Sequence, residues 1–255
     1  MPESRTVAFH TLGCKVNRYE TDAVMQSFIS AGYLVRDFED RCDVYVINTC
    51  TVTGEAARKS GQYIRRARRS NPEAVIVAMG CQVQISGGSS QADILIGTAD
   101  KMQAAELVDS FISGKHEAGT ERSSYISDLS ETPGFEEAGP VRSFEGSRVF
   151  IKIEDGCNRF CSYCIIPFAR GRVRSRAVSD ICSEIAGAAQ EGFKEAVITG
   201  IDLSAYGSDR GEDIKSLAEL VERVYADSGI QRIRLGSLEP RSEEHTSELQ
   251  SRQVI

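Results

Sequence analysis

Apolar and polar residues follow two different periods along the first hundred residues of the chain. Four continuously apolar runs predict buried β-strands: TVAFHTLGC (6–14), DVYVINTC (43–50), AVIVAMGC (74–81) and DILIG (93–97). The stretches between them have the apolar spacing of helices. Buried strands that alternate with helices are typical of a parallel sheet covered on both faces. The pattern therefore predicts an α/β domain over residues 1–114.

Three helices are predicted within this domain. The first begins near Asn17, a suitable capping residue, and ends before Gly32. The second spans about residues 55–70, and the third spans residues 101–113. The segment 87–90, Gly-Gly-Ser-Ser, disfavours a helix after the third strand.

Residues 115–147 follow neither period. The segment is acidic and is interrupted by five turn-forming residues, Pro133, Gly134, Gly139, Pro140 and Gly146. We interpret it as an acidic linker or a long excursion between two domains.

A second alternation of strands and helices follows over residues 148–240. Three apolar runs predict strands: VFIKIED (149–155), EAVITG (195–200) and IRLGSL (233–238). Between them lie a helix with its apolar stripe at Val178, Ile181, Cys182, Ile185 and Ala189, and a helix near 214–225. The pattern predicts the opening of a β/α barrel with about three of its strands.

Residues 241–255 match nothing before them. The stretch RSEEHTSELQS (241–251) has no apolar period and resembles the translation of a sequencing-library adapter. We expect a non-native tail joined after Pro240, so that the barrel is truncated. A polar tail is the alternative.

Composition excludes several classes of protein. The chain has 255 residues, 41% apolar and 26% charged, and no apolar run approaches the roughly 18 residues of a membrane span. The start has no signal-peptide pattern, so we expect a cytoplasmic protein with no membrane partner. Eight cysteines in a reducing compartment favour metal binding or catalysis over disulfides. With a net charge of −7, nucleic acid would have to bind through local basic patches.

Three cysteines each follow a predicted strand of the first domain: Cys14, Cys50 and Cys81. Because the carboxyl ends of parallel strands share one edge of a sheet, these thiols are expected to lie near one another. Thiolate ligands suit iron–sulfur clusters or zinc. Any one of them alone is equally well explained as a small apolar core residue.

A second triad, Cys157, Cys161 and Cys164, has the spacing C-x3-C-x2-C in the loop after the strand VFIKIED. Barrel enzymes place their chemistry in such loops. Three thiolates on a cubane iron–sulfur cluster leave one iron open to a small molecule. The competing interpretation is a zinc knuckle, but its fourth ligand is missing, because His10, His116 and His245 all lie far away in sequence.

Both triads together resemble the radical S-adenosylmethionine (SAM) enzymes, and most closely their methylthiotransferase branch. Four segments resemble motifs of that branch in order and spacing, over nearly all of residues 5–240. They are TLGCKVNRYET, INTCTVT, MGC and IKIEDGCNRFCSYCIIPFARGRVRSR. The resemblance implies a flavodoxin-like N-terminal domain followed by a radical SAM barrel.

The resemblance also implies two [4Fe-4S] clusters and SAM as cofactors. Cys157, Cys161 and Cys164 would hold the cluster that binds SAM, with Tyr163 against its adenine, and the N-terminal triad would hold an auxiliary cluster. The motifs TLGCKVN and NTCTVT are most similar to branch members that add a methylthio group to C2 of N6-threonylcarbamoyladenosine beside the tRNA anticodon. The expected partners are a tRNA anticodon stem-loop, an electron donor such as flavodoxin or ferredoxin, and a sulfur donor.

Alternative functions stay open at this point. Within the branch, the substrate would be isopentenyladenosine in tRNA or a ribosomal protein. Outside it, the chain would be a non-catalytic iron–sulfur carrier or a zinc-dependent RNA-binding module.

Polar residues after the barrel strands complete the candidate site. Gly200, Asp202, Ser237 and Glu239 end the second and third barrel strands and are candidates for SAM or substrate contact, or ordinary turn residues.

Two groups of basic residues stand out from the acidic chain. Six basic residues, Arg58, Lys59, Arg65, Arg66, Arg68 and Arg69, lie on one predicted helix, where a solvated face is an equal explanation. Directly after the second triad, Arg170, Arg172, Arg174 and Arg176 alternate in a run that is a candidate for tRNA phosphates or the SAM carboxylate. Arg170, Arg174 and Arg176 are selected from it as site residues.

Overall fold

The computed structural model describes residues 4–87, 91–114, 122–130, 134–141, 147–210, 216–236 and 238, and every element below lies within these ranges. Six parallel strands form the first sheet. They are β1 (Thr6–Thr11), β2 (Leu34–Arg36), β3 (Val44–Thr49), β4 (Val75–Gly80), β5 (Ile94–Ile96) and β6 (Ser123–Tyr125). Their order is β2-β1-β3-β4-β5-β6, with parallel pairing throughout. The first five follow the flavodoxin order, which confirms the predicted fold of this domain.

Helices cover this sheet on both faces, as the apolar runs predicted. They are α1 (Lys15–Ser30), α2 (Gly54–Ser70), α3 (Cys81–Ser86) and α4 (Ala104–Ile112), the last preceded by the 3₁₀ turn Lys101–Gln103. The helix α3 was not predicted: a short helix does follow the third apolar run, and Gly87 is its C-cap. Val24 and Phe28 of α1 pack with α4 on one core, and Ile64 of α2 packs with α3 on the other. Thr53 caps α2 through its side chain, which accepts from the N–H of Ala56.

The predicted start of α1 was wrong by three residues. Cys14 occupies the N-cap position, and Asn17 lies inside the first turn with only 1% of its surface exposed. Its amide faces the carboxyl ends of the strands instead of capping its own helix. The predicted end is confirmed, since Gly32 follows the helix with φ of 90°.

The second half has the predicted strand–helix alternation. Its elements are β7 (Arg148–Lys152), β8 (Glu154–Asp155), α5 (Ile166–Arg170), β9 (Arg174–Ser175), α6 (Val178–Gln190), β10 (Glu195–Thr199), α7 (Leu217–Ser228) and β11 (Arg232–Leu235). The strands β11, β10 and β7 form a parallel sheet in that order, and β8 pairs with β9 in an antiparallel ladder. Ile181 and Ile185 of α6 pack under this sheet, and Cys182 lies against the same core as predicted.

Part of the acidic segment is built into the fold. Its residues 123–125 form β6, the edge strand of the first sheet. Val141 is buried against Tyr19 of α1, and its N–H donates to Glu184 of α6 at 2.8 Å. The segment therefore packs on both halves of the molecule. Residues 115–121, 131–133 and 142–146 of the segment, and the tail 241–255, lie outside the described residues.

Candidate functional site

The three N-terminal cysteines lie at the carboxyl ends of three neighbouring strands. Cys14 follows β1, Cys50 follows β3 and Cys81 follows β4, and these strands are adjacent in the sheet. Cys50 and Cys81 are buried, while Cys14 is exposed. The sheet therefore brings together residues that are far apart in sequence, as the strand-end argument predicted.

Asn17 and Gly13 shape the edge that carries this triad. The side-chain amide of Asn17 donates to the carbonyl oxygens of Leu12 at 2.7 Å and of Thr49 at 3.1 Å, so it ties together the backbone next to two of the cysteines. Gly13 has φ of +102°, and a Cβ there would lie 2.8 Å from Sγ of Cys50. Only glycine permits this conformation and this approach.

The second triad lies in a loop that is fastened at both ends. The N–H of Cys157 donates to the carbonyl of Gly171 at 3.1 Å, and the N–H of Cys164 donates to that of Cys161 at 2.9 Å. Gly156 has φ of +87°, and a Cβ there would lie 2.0 Å from the carbonyl oxygen of Arg172. This loop also requires glycine for its close approach to the following segment.

The thiolate donors of the two triads suit iron–sulfur clusters or zinc. Within the described ranges, no group of three or more His, Cys, Asp or Glu side chains is arranged to hold one metal ion. A single zinc requires its thiolates to converge on one point, with metal–sulfur distances of about 2.3 Å. A cubane cluster instead offers a separate iron to each thiolate, and three soft sulfur donors per site suit it.

Burial acts on the thiols of both triads. It raises the pKa of Cys81, although the positive charges of Arg170 and Lys101 act in the opposite direction. Burial also raises the pKa of the Cys157 thiol. In both places the protein matrix disfavours a bare thiolate, and a bound metal centre would stabilise it.

A buried network of charged side chains separates the two triads. We call it the central charge network; its members are Glu20, Lys101, Lys152, Asp155 and Arg170. Lys152 Nζ lies 2.8 Å from Glu20 and 2.7 Å from Asp155, and Arg170 Nη1 lies 2.9 Å from both carboxylates. Burial opposes ionisation of Glu20, but Arg170, Lys101 and Lys152 outweigh it and hold the pKa of its carboxyl well below its usual range. Every member is at most 5% exposed in its side chain.

Arg170 and Arg176, the sequence-based candidates for tRNA phosphates or the SAM carboxylate, are both buried in the structure. Arg170 is 1% exposed within the central charge network, and Arg176 is 2% exposed and paired with Glu184 and Glu137. Both guanidinium groups already have buried carboxylate partners and cannot reach an external phosphate. Arg174 is half-buried and donates to the carbonyl oxygens of Arg170 and Arg172.

Arg172 is the exposed member of the RGRVRSR run, and the sequence-based site omitted it. Its guanidinium carbon lies 4.3 Å from the centroid of the Phe160 ring, whose other neighbour is Phe168 at 5.8 Å in an edge-on arrangement. Phe160 and Phe168 are 41% and 62% exposed. Phe160 also has φ of 46°, which is uncommon for a residue other than glycine. An arginine and two aromatic rings therefore form an exposed patch beside the second triad.

Glu154 holds the loop after β10. Its Oε2 accepts hydrogen bonds from the N–H groups of Ile201 and Asp202, both at 2.8 Å, while its Oε1 has no hydrogen-bond partner among the described residues. Burial, and then the negative charge of Asp155, raises the pKa of Glu154 to about 8. The sequence-based site missed this residue, although a carboxyl three residues before the first cysteine of the triad was a usable signal.

The predicted cofactor residues are placed as follows. Gly200 lies against Glu154, since a Cβ there would be 2.7 Å from its Oε2. Asp202 accepts hydrogen bonds from Arg159 at 2.8 Å and from Ser204 at 2.6 Å, beside a cavity of about 310 Å³. Tyr163 is 91% exposed. Ser237 and Glu239 lie outside the described residues.

Three comparisons relate the chain to known proteins. Residues 6–97 match the model of "Uncharacterized protein family UPF0004". The chain is 42% identical, over 92% of its length, to "Threonylcarbamoyladenosine tRNA methylthiotransferase MtaB" of Bacillus subtilis, and 39% identical over 91% to the protein of that name from Aquifex aeolicus. It is 33% identical, over 94%, to "tRNA-2-methylthio-N(6)-dimethylallyladenosine synthase" of Pelotomaculum thermopropionicum.

The chain spans about half the length of the curated relatives it matches, namely 51%, 56% and 54% of these three. A solved structure with the same fold is the radical S-adenosylmethionine methyltransferase TsrM from Kitasatospora setae, with cobalamin and a [4Fe-4S] cluster bound. The TM-score is 0.63 at 16% identity, over 91% of this chain and 55% of that one. In the parts of the chain that are described, no helix has the length and apolar character needed to cross a membrane.

Proposed function

We propose, from its kinship with the MtaB-type radical SAM methylthiotransferases, that this chain acts in adding a methylthio group to C2 of N6-threonylcarbamoyladenosine in tRNA. The family resemblance that the cysteine motifs indicated is confirmed by these relatives. The observation that carries the proposal is the pair of cysteine triads at the carboxyl ends of two parallel sheets, on either side of one buried charge network.

Each cysteine triad would provide the ligands of one cluster. Cys157, Cys161 and Cys164 would hold one [4Fe-4S] cluster, and Cys14, Cys50 and Cys81 would hold the other. When bound, the first cluster and SAM supply a radical that removes hydrogen from the nucleoside, and the second supplies the sulfur. Each triad would leave one iron of its cluster without a cysteine ligand, open to SAM at one centre and to an incoming sulfur at the other.

The polar residues after β10 would orient SAM. Glu154 is neutral below a pH of about 8 and fixes the backbone of Ile201 and Asp202 through two hydrogen bonds. Arg159 in turn fixes the carboxylate of Asp202 at the edge of the 310 Å³ cavity. Cavities of this size are typical of small-molecule sites. Tyr163, exposed beside the triad, would cover the adenine of SAM.

The exposed patch of Arg172, Phe160 and Phe168 would contact the tRNA. Bases of single-stranded RNA loops stack on aromatic rings and on guanidinium planes. The patch adjoins the second triad in sequence and in space, so a nucleotide held there would be close to the site of the reaction. A sulfur donor and an electron donor complete the expected partners.

Metal analysis gives the first test. Anaerobic purification of the chain should yield about eight irons per molecule and negligible zinc, because each triad would hold one cubane. One zinc per triad would contradict the proposal.

Nucleoside analysis gives the decisive test. The gene is expressed in a bacterial strain whose tRNA contains N6-threonylcarbamoyladenosine without the methylthio group, and the digested tRNA is analysed by mass spectrometry. The proposal predicts 2-methylthio-N6-threonylcarbamoyladenosine. A methylthiolated isopentenyladenosine instead would support the second candidate, which the 33% identical dimethylallyladenosine synthase favours. Neither product from a protein with full iron content would overturn both.

A further inference from the structure

We infer that Arg170 is a positioning residue that joins the backbone loops of the two cysteine triads and holds them in a fixed relation. The inference rests on the proposed function in one respect only, the assignment of the triads as cluster ligands. It concerns a residue that the sequence placed at the RNA surface and that the structure places in the interior.

Arg170 contacts both halves of the molecule. It is the last residue of α5, which follows the second triad, and its guanidinium is 1% exposed. Nη2 donates to Oδ1 of Asn17 at 2.6 Å, and Nη1 donates to Oδ1 of Asp155 at 2.9 Å. The partners lie 153 and 15 residues away in sequence, in α1 and in β8.

Each of these partners bonds to the backbone of a cysteine loop. Asn17 donates to the carbonyl of Thr49, the residue before Cys50, at 3.1 Å. Asp155 accepts through Oδ1 from the N–H of Gly156, the residue before Cys157, at 2.9 Å. An unbroken line of four hydrogen bonds, Thr49–Asn17–Arg170–Asp155–Gly156, therefore connects one triad to the other.

The charges around Arg170 point to the same role. Three cations of the network, Lys101, Lys152 and Arg170, share two buried carboxylates, Glu20 and Asp155, and Arg174 lies 3.6 Å from Asp155. The half-buried Glu136 also lies near the two lysines, and burial raises the pKa of its carboxyl. The three buried cations of the network outnumber its two buried carboxylates, and buried charge is costly without a partner of opposite sign nearby. The excess lies next to Cys81, where a thiolate-bound cluster would offset it.

Lysine is not equivalent to arginine at this position. The planar guanidinium bonds to Asn17, Glu20 and Asp155 at once, in directions fixed by its geometry. The ammonium group of lysine supplies the same charge, but it lacks the planar set of N–H donors that bonds to all three partners. Arg170→Lys should therefore keep most of the electrostatic balance and lose the connection between the loops.

Arg176 offers a matched control. It is also an arginine, is 2% exposed and contacts Glu137, Glu184 and the Tyr19 hydroxyl of α1, so it too links the two halves, but through residues other than Asn17 and Asp155. If burial of an ion pair were the only role, Arg170→Lys and Arg176→Lys would have the same consequences.

The test uses the full chain, purified anaerobically with its iron. Hydrogen exchange measured by mass spectrometry reports on the N–H groups of Leu12, bonded to Asn48, and of Cys157, bonded to Gly171. Arg170→Lys should speed exchange of both by roughly ten-fold, because hydrogen bonds to charged groups contribute about that factor to a local opening equilibrium. The EPR signals of both reduced clusters should also change. Arg176→Lys should leave exchange at both loops and both signals unchanged.

A second variant guards against a misfolded Arg170→Lys. Asn17→Ala removes two of the four hydrogen bonds that connect the triads, without removing a charge. It should speed hydrogen exchange of the Leu12 N–H. Equal effects of Arg170→Lys and Arg176→Lys on both loops would overturn the inference, as would an unchanged Leu12 amide in Asn17→Ala. Exchange is measured without turnover, so a protein that fails to modify tRNA would still decide the role of Arg170.

Discussion

Replacing Glu154 by glutamine should change how the stability of the protein depends on pH. The Glu154 carboxyl is fully buried, and its pKa is raised from 4.5 to about 8. Between these two values the folded protein retains a proton that the unfolded chain has released. The free energy of unfolding must therefore fall as the pH rises through this window.

The size of the effect follows from the two pKa values. A rise from 4.5 to about 8 corresponds to a loss of roughly 5 kcal/mol between pH 4.5 and pH 8. The amide of Glu154→Gln does not titrate, and its oxygen can still accept from the N–H groups of Ile201 and Asp202. The variant should therefore match the wild type more closely at pH 5 and become the more stable of the two near pH 8.

Urea denaturation at several pH values between 5 and 8.5, under anaerobic conditions, measures this difference. Subtracting the free energy of unfolding of the wild type from that of the variant at each pH removes the contributions of the other titrating groups. Glu55→Gln is the control, because Glu55 is exposed on α2 and paired only with surface cations. Parallel pH profiles for Glu154→Gln and the wild type would refute a neutral, buried Glu154.

Three further outcomes follow from the described contacts. Glu20→Gln leaves three buried cations short of a carboxylate and should lower the free energy of unfolding by about 3–5 kcal/mol in urea denaturation; no loss would contradict the central charge network. Arg172→Ala should weaken binding of an anticodon stem-loop RNA and reduce the salt dependence of that binding by about one counterion. Phe168→Ala should weaken the binding without changing its salt dependence. Replacement of the exposed Tyr225 on α7 is the control and should leave the affinity unchanged. Gly13→Ala should lower the iron content from about eight to about four, because its Cβ would meet Cys50; full iron content would refute that steric role.

Much of the fold was predictable because its strands are encoded locally. The apolar runs ending in Cys14, Cys50 and Cys81 specified three adjacent strands, and parallel pairing then placed the three thiols at one edge. The strand β6 was not predictable, since Ser123–Tyr125 has no apolar run and pairs with β5 only because the chain passes beside an open edge.

The sequence did not indicate which of the four arginines after the second triad are buried and which is exposed. Arg170, Arg172, Arg174 and Arg176 alternate evenly, and a basic run next to a loop is as compatible with RNA as with the interior. Arg170 pairs in the interior with Glu20, which lies 150 residues earlier in the sequence. No local sequence pattern indicates a partner at that distance. The three-dimensional pairing leaves Arg172 exposed, although the sequence analysis did not select it.

The packing of the acidic segment bears on how a reaction at two separate centres would proceed. Residues 123–125 extend the first sheet, and Val141 is bonded to α6 of the second half, so the described parts of the segment contact both halves. Arg170 bonds to both of the same two halves. Under the proposed function, this packing would hold the two cysteine triads apart, so a nucleotide would have to move between them or span the gap.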